Sequence, residues 1–92
     1  MRNVTEIEEY NANIQWEIGQ RIQKQRINKG YTGVDVAIYL DINKNQVSRI
    51  ENGRANCTVP QLFILSQLLD CSVDYLLFGK QEETESADRQ SV

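Results

Sequence analysis

The chain has 92 residues, of which 40% are hydrophobic and 25% charged, so it is long enough for one small domain with a modest core. No apolar run approaches the roughly 20 residues that a membrane span needs, and the acidic start lacks the apolar core of a signal peptide. The chain has two Cys and no His, which argues against a zinc site and against a catalytic Cys–His pair. We therefore expect a cytoplasmic protein with reduced thiols, no metal, no cofactor and no catalytic residues.

The acidic residues are concentrated at the two ends of the chain, whose formal net charge is −3. Residues 1–9 and residues 80–92 each carry a net charge of −2, whereas residues 10–79 carry seven Lys and Arg against six Asp and Glu. The pI of about 4.9 therefore describes the ends, and it is weak evidence against nucleic-acid binding by the middle of the chain. Residues 80–92 also lack aromatic side chains, which predicts a disordered acidic tail.

A helical pattern runs through the first third of the chain. Thr5 is followed three residues later by Glu8, which is a capping-box pattern. Apolar residues then recur at spacings of three and four: Ile7, Tyr10, Ile14, Ile18 and Ile22. Two interpretations are open, namely one long helix from about residue 6, or a short helix followed by another from about residue 15. In either case the helix should end near Gly30, and Gly19 weakens it without forbidding it.

A second, shorter helix is predicted at about residues 33–40. Thr32 and Asp35 form another capping-box pattern at its start. The inward-facing residues of this helix are Val36, Ala37 and Leu40. Asp41 follows, and it can adopt the left-handed conformation that ends a helix.

A third helix is predicted at about residues 44–52. Asn43 is its cap, Val47 and Ile50 face inward, and Gly53 ends it. Only a turn of three or four residues separates it from the second helix. This spacing is typical of a helix-turn-helix.

Two more helices complete the predicted fold. Thr58 caps a fourth helix, with Pro60 tolerated in its first turn. The apolar residues of that helix are Leu62, Phe63, Leu65, Leu68 and Leu69. Ser72 caps a short closing helix that Gly79 ends. No stretch predicts a strand, so we expect an all-α fold of five helices.

Several segments, in order, resemble the Cro/C1-type repressors, also called the Xre family. They are IGQRIQKQRINKGYT, VAIYLDINKNQVSRIENG and LLDCSVDYLLFG, within residues 14–79. The resemblance implies a five-helix lambda-repressor-like DNA-binding bundle over residues 14–79, here preceded by a partly helical extension at residues 1–13. It further implies that the second helix lies across the DNA backbone, that the third enters the major groove, and that Arg26 and Glu51 form a structural ion pair.

The outward side chains of the third helix suit DNA bases, because Arg and Lys can bridge guanine O6 and N7 and Asn can pair with adenine. The resemblance assigns base reading to Lys44, Asn45, Ser48 and Arg49. It assigns phosphate contacts to Thr32, Gly33, Asn43, Gln46, Asn52 and Arg54. Polar residues opposite an apolar pair are also what any solvated surface helix shows. The ordered family match favours the DNA-reading interpretation.

Gly33 departs from the family pattern, which commonly has Gln at this position. The Gln side chain reaches a phosphate and braces the recognition helix, and Gly has no side chain to do so. The Gly33 amide still offers a hydrogen-bond donor at a helix start. Asp41 also differs, since it places a negative charge near the DNA-facing end of the motif.

These patterns predict a sequence-specific DNA-binding transcriptional regulator, specifically a repressor, that binds a palindromic operator as a homodimer. Candidate dimer contacts are Ile7, Tyr10, Ile14, Tyr75 and Phe78, although the same residues could instead pack on their own domain. The alternative function is an antitoxin-like or adaptor protein whose bundle mainly binds a protein partner. The acidic ends and Gly33 leave room for this second interpretation.

Overall fold

The computed structural model describes residues 9–80, and within that range it contains five helices and no strand. The helices are α1 (Ala12–Asn28), α2 (Gly33–Leu40), α3 (Lys44–Glu51), α4 (Val59–Leu68) and α5 (Val73–Phe78). The predicted all-α class is confirmed. The division into an extension (1–13), a domain (14–79) and a tail (80–92) stays a prediction, because residues 1–8 and 81–92 lie outside the described range. In residues 9–80 no helix is long and apolar enough to cross a membrane.

The first helix begins at Ala12, so a continuous helix from about residue 6 is wrong. Asn11 is extended, with φ −142° and ψ 178°, and its side-chain oxygen accepts the Ile14 N–H at 3.0 Å. This cap starts the helix and breaks any helical path from the residues before it. The other interpretation, a helix from about residue 15, placed the start a few residues too late. The Thr5–Glu8 pattern lies outside the described residues.

The four later helices each begin at the predicted cap. The capping residues are Thr32, Asn43, Thr58 and Ser72, and each side chain accepts a backbone N–H from the first turn of its helix. Asp41, at the end of α2, has the predicted left-handed conformation with φ 57°. These local hydrogen bonds define where each short helix starts, and they satisfy backbone donors that have no partner within the helix.

The core lies between the five helices, with α1 packed mainly against α3 and α5. Its buried apolar residues are Ile18, Ile22, Val36, Ala37, Leu40, Val47, Ile50, Leu65, Leu69 and Leu76. Full burial of a large aliphatic side chain contributes about 1.5–3 kcal/mol, so this cluster is the main source of stability. Phe63 of α4 stays 63% exposed because this helix turns Leu65 and Leu69 inward instead.

Gly19 lets the backbone of α1 approach the end of α3. A Cβ at residue 19 would collide with the Ile50 carbonyl oxygen and lie 2.5 Å from that of Glu51. Because both neighbours are backbone atoms, we expect Gly19→Ala to lower the free energy of unfolding by about 1–3 kcal/mol, measured by urea denaturation. Gly33→Ala is the matched control, since the nearest atom to its Cβ lies 4.0 Å away. Equal stability of the two variants would contradict the packing argument.

Cys57 should make stability depend on alkaline pH. No disulfide joins Cys57 to Cys71, and burial raises the pKa of the Cys57 thiol from 9.0 to about 11. A folded-state pKa above the unfolded value stabilises the fold fully below pH 9.0, and this stabilisation is lost as the pH rises through 11. We expect the melting temperature of Cys57→Ala to fall less steeply between these pH values than that of the parent chain. Parallel curves would rule out a contribution from Cys57.

Candidate nucleic-acid interface

A polar stripe on α1 supports the end of α3. The stripe consists of Gln15, Gly19, Gln23 and Arg26. These residues recur at spacings of three and four, so they lie on one side of the helix. Gln15 Nε2 donates to the Gly53 carbonyl oxygen at 2.8 Å. Gln20, beside the stripe, donates from Nε2 to the Glu51 carbonyl oxygen at 3.0 Å. These glutamines were not among the predicted site residues, although the second periodicity on α1 was a signal for them.

Arg26 and Glu51 lie together, as the family resemblance implied. Arg26 Nε donates to Glu51 Oε2 at 2.7 Å, and Arg26 Nη2 donates to Glu51 Oε1 at 3.1 Å. A third donor of the guanidinium, Nη1, reaches the Tyr31 carbonyl oxygen at 3.0 Å. The hydrogen bonds that Arg26 donates to the Glu51 carboxylate raise the pKa of Arg26, so this side chain stays charged. The pair ties α1 to the end of α3 and to the turn before α2.

The outward face of α3 carries positive charge without exposed acid. Val47 and Ile50 are buried, as predicted, and the side chain of Glu51 is only 4% exposed. The four predicted base-reading residues, Lys44, Asn45, Ser48 and Arg49, are all exposed. Since the one acid of α3 is turned inward, the exposed charges of this helix are basic.

An open polar cleft joins α3 to the loop that follows it. It has a volume of about 620 Å³ and is lined by Asn45, Ser48, Arg49, Asn52 and Arg54. The Arg54 N–H donates to the Arg49 carbonyl oxygen at 2.7 Å, which holds the loop against the helix. The fold therefore brings three of the predicted base-reading residues beside two of the predicted phosphate contacts.

The start of α2 offers fewer free donors than the resemblance implied. The Thr32 N–H already donates to Asp35 Oδ2 at 2.9 Å, and Thr32 Oγ1 accepts the Asp35 N–H at 3.1 Å. This capping box occupies the Thr32 amide and places a carboxylate beside it. The Gly33 N–H, in the first turn of α2, belongs to the donors that have no carbonyl partner within the helix.

Other predicted phosphate contacts already serve the ends of α3. Asn43 Oδ1 accepts the Gln46 N–H at 2.8 Å, so the Asn43 amide nitrogen faces away from this cap. Asn52 Nδ2 donates back to the Ser48 carbonyl oxygen at 2.9 Å and lies 3.3 Å from Ser48 Oγ. Asn52 thus caps the helix and also holds the hydroxyl of a predicted base-reading residue. Arg54 remains exposed.

A notch lies beside Gly33, where the family commonly has a Gln side chain. It measures about 240 Å³, and its lining includes Gly33, Lys44, Gln23 and Glu51. A Cβ at Gly33 would lie 4.0 Å from Lys44 Cγ, which is ordinary van der Waals contact. The notch therefore has room for a longer side chain between α1 and the start of α3. Gln23, which donates to Glu51 Oε1 at 3.4 Å, occupies its α1 side.

The candidate dimer contacts separate into two groups. Ile14 and Tyr75 are partly buried against the core of their own domain, whereas Tyr10 and Phe78 are exposed. The Tyr10 hydroxyl donates to Asn56 Oδ1 at 2.6 Å, which fastens the segment before α1 to the loop after α3. Ile7 lies outside the described residues.

Within residues 9–80 no three His, Cys, Asp or Glu side chains cluster to hold a metal ion.

Comparison with known proteins agrees with this geometry. Residues 22–76 match the helix-turn-helix family. The HTH-type transcriptional regulator DicA of Escherichia coli is 38% identical over 66 residues, which are 72% of this chain and 49% of DicA. The P22 c2 repressor, solved in complex with a synthetic operator, has a TM-score of 0.64 and 27% identity, covering 68% of this chain and 96% of that one.

A further structural match is the N-terminal DNA-binding domain of SinR from Bacillus subtilis. Its TM-score is 0.62 and its identity 38%, covering 71% of this chain and 96% of that one. The chain spans about half the length of DicA, so the likeness concerns the helical domain. The family match covers more than half of the chain and runs from the second half of α1 into α5. The chain therefore belongs to the Cro/C1-type helix-turn-helix family.

Proposed function

We propose that this chain is a sequence-specific DNA-binding transcriptional regulator, specifically a repressor, that places α3 in the major groove. The observation that carries the proposal is the exposed face of α3, where Lys44, Asn45 and Arg49 stand with no exposed acid on the helix. These side chains match the donors and acceptors of guanine and adenine edges. The names of the relatives, which are regulators, repressors and a DNA-binding domain, support this function over the antitoxin-like or adaptor alternative.

In the proposed complex, Lys44, Asn45, Ser48 and Arg49 read bases. Arg54 and the Gly33 amide are the strongest candidates for phosphate contacts, because one is an exposed cation and the other a donor at a helix start. Thr32, Asn43, Gln46 and Asn52 contribute secondary contacts, since caps already use some of their groups. In this proposal the chain acts by binding and not by catalysis, and it acts in the cytoplasm.

We further propose that a homodimer binds a palindromic operator. A single eight-residue recognition helix contacts few base pairs, and two copies on half-sites about 34 Å apart would double the interface. Exposed Tyr10 and Phe78 are the best-placed of the candidate dimer contacts. Ile14 and Tyr75 pack against their own core and Ile7 lies outside the described residues, so we propose these three as secondary contacts.

The test is selection of bound duplexes from a random DNA pool, using the whole chain. We expect enrichment of one short sequence that occurs twice with dyad symmetry. The spacing between the two copies should be about one helical turn of DNA. A folded chain that enriches no sequence, even at low salt where phosphate contacts are strongest, would contradict the proposal.

Filling the notch beside Gly33 should strengthen DNA binding. Gln at this position has space between α1 and Lys44, and it can donate to a phosphate while bracing the recognition helix. We expect Gly33→Gln to raise affinity about three- to tenfold, which corresponds to the worth of about one hydrogen bond. Fluorescence anisotropy with the selected duplex gives the measurement.

Gly33→Ala is the control for the Gln side chain, because it adds the same Cβ without a donor. It should change helix stability but leave DNA affinity near that of the parent chain. If Gly33→Gln binds the selected duplex no more tightly than Gly33→Ala, a Gln side chain in the notch does not brace the recognition helix.

A further inference from the structure

The outer side of α2 is unusually apolar for a surface helix. Val34, Ile38 and Tyr39 are 49%, 71% and 57% exposed, although the helix has only eight residues. Val34 and Ile38 are four positions apart, so they lie on one side of the helix. The Tyr39 ring packs edge-on against Tyr31 with ring centroids 6.3 Å apart, which holds it in place. Large apolar side chains grouped in this way mark interaction surfaces.

This apolar side continues onto α4. Tyr39 lines an open cleft of about 290 Å³ together with Ile64 and Leu68, which are four positions apart on α4. We call Val34, Ile38, Tyr39, Ile64 and Leu68 the α2–α4 face. Tyr39 forms the α2 wall of the cleft, and Ile64 and Leu68 form its α4 wall, which is the form of a groove for a helix.

Carboxylates lie at the ends of the two helices that form the α2–α4 face. Asp35 and Asp41 lie at the two ends of α2, and Asp70 follows α4 with its side chain 83% exposed. Lys29 approaches this rim, but it is paired with Asp70 at 3.4 Å. Carboxylates repel phosphate, and apolar side chains offer it neither positive charge nor a hydrogen-bond donor. This face therefore does not suit DNA. It suits a partner that offers apolar side chains flanked by cations.

We propose that the α2–α4 face docks a helix of a partner protein whose apolar side is flanked by Lys and Arg. Apolar side chains at positions i and i+4 of that helix fill the cleft beside Tyr39. Its cations meet Asp41 and Asp70 at the rim. The inference does not rest on DNA reading, since it uses none of the residues of the α3 face.

The probe is a designed amphipathic peptide of about 18 residues with Leu on one side and Lys at its margins. A twin peptide carries Glu in place of every Lys. Amide NMR shifts of the whole chain are followed without DNA, because a Lys-rich peptide also binds duplexes. We expect shifts at residues 34, 38, 39, 64 and 68, and an affinity at least about tenfold higher for the Lys peptide than for its twin.

Three variants separate the two parts of the surface. Ile38→Ser should lower the affinity for the Lys peptide about fivefold or more, by removing the most exposed apolar anchor. Asp41→Asn combined with Asp70→Asn should lower it while preserving the fold, since Asn tolerates the positive φ of both positions. Phe63→Ser is the matched control, because Phe63 is similarly exposed but outside the face.

Three results would overturn the proposal. The first is equal binding of the Lys and Glu peptides, or binding of neither. The second is a set of shifts centred elsewhere, or an effect of Phe63→Ser as large as that of Ile38→Ser. The third is a dimer in analytical ultracentrifugation that Ile38→Ser dissociates, because the occupant would then be a second copy of this chain. Absence of DNA binding would leave the peptide result unaffected, so the two proposals fail separately.

Discussion

Glu51→Ala should lower the free energy of unfolding by about 3–5 kcal/mol, one of the largest effects expected from a single substitution in this chain. The substitution leaves the Arg26 guanidinium, whose side chain is 16% exposed, without the carboxylate that accepts two of its hydrogen bonds. It also leaves Gln23 without its acceptor. Urea denaturation followed by far-UV circular dichroism measures the loss.

Two controls define what such a loss means. Lys29→Ala removes one partner of the exposed Lys29–Asp70 pair and should cost about 1 kcal/mol or less. Replacing both partners of the pair, Arg26→Met with Glu51→Leu, should recover much of the stability, since no unpaired charge remains. If Glu51→Ala costs no more than Lys29→Ala, the buried pair does not hold α3 in the way its geometry suggests.

Arg49→Ala should weaken binding to the selected operator by about 1–3 kcal/mol, which is roughly a 5- to 150-fold loss of affinity, and should relax the preference at one base position. The reason is that Arg49 is an exposed cation on the outward face of α3, the face that we propose enters the major groove. Affinities for the selected duplex and for a scrambled duplex, measured by fluorescence anisotropy, report both effects.

Arg54→Ala is the companion variant, because Arg54 lies in the same cleft but after the helix. It should weaken binding to both duplexes alike. The slope of log affinity against log salt concentration should become shallower by about one unit. Both substitutions are at exposed positions, so unfolding curves should match that of the parent chain. If Arg49→Ala weakens binding to the scrambled and selected duplexes equally, Arg49 contacts phosphates and not a base.

Local features of the fold were predictable from the sequence. The caps at Thr32, Asn43, Thr58 and Ser72 act within three residues of themselves, so their pattern is visible in the chain and the structure confirms them. The start of α1 was harder, because Asn11 caps the helix without a partner glutamate at the third helical position and interrupts an apolar stripe that looked continuous. Periodicity alone does not reveal such a break.

Features that depend on contacts between distant parts of the chain were harder to predict from the sequence. Gln15 and Gln20 bond to carbonyls 38 and 31 residues away, and nothing in the local pattern names those acceptors. The close approach at Gly19 is likewise a property of two helices and not of one. Arg26 and Glu51 were foreseen through the family resemblance alone. The base-reading and phosphate assignments stay predictions, because they concern contacts with the proposed DNA partner and not contacts within the fold.

The polar side chains of α1 that contact the end of α3 affect how readily α3 could bind DNA. An isolated helix of eight residues is unstable in water, so α3 cannot hold its own orientation. Donors from Gln15 and Gln20 and the guanidinium of Arg26 fasten its end before any duplex arrives. The recognition helix is therefore preorganised, and little ordering remains to oppose association. Residues of α1 that never touch a base should thus tune operator affinity by changing the rigidity of the helix that does.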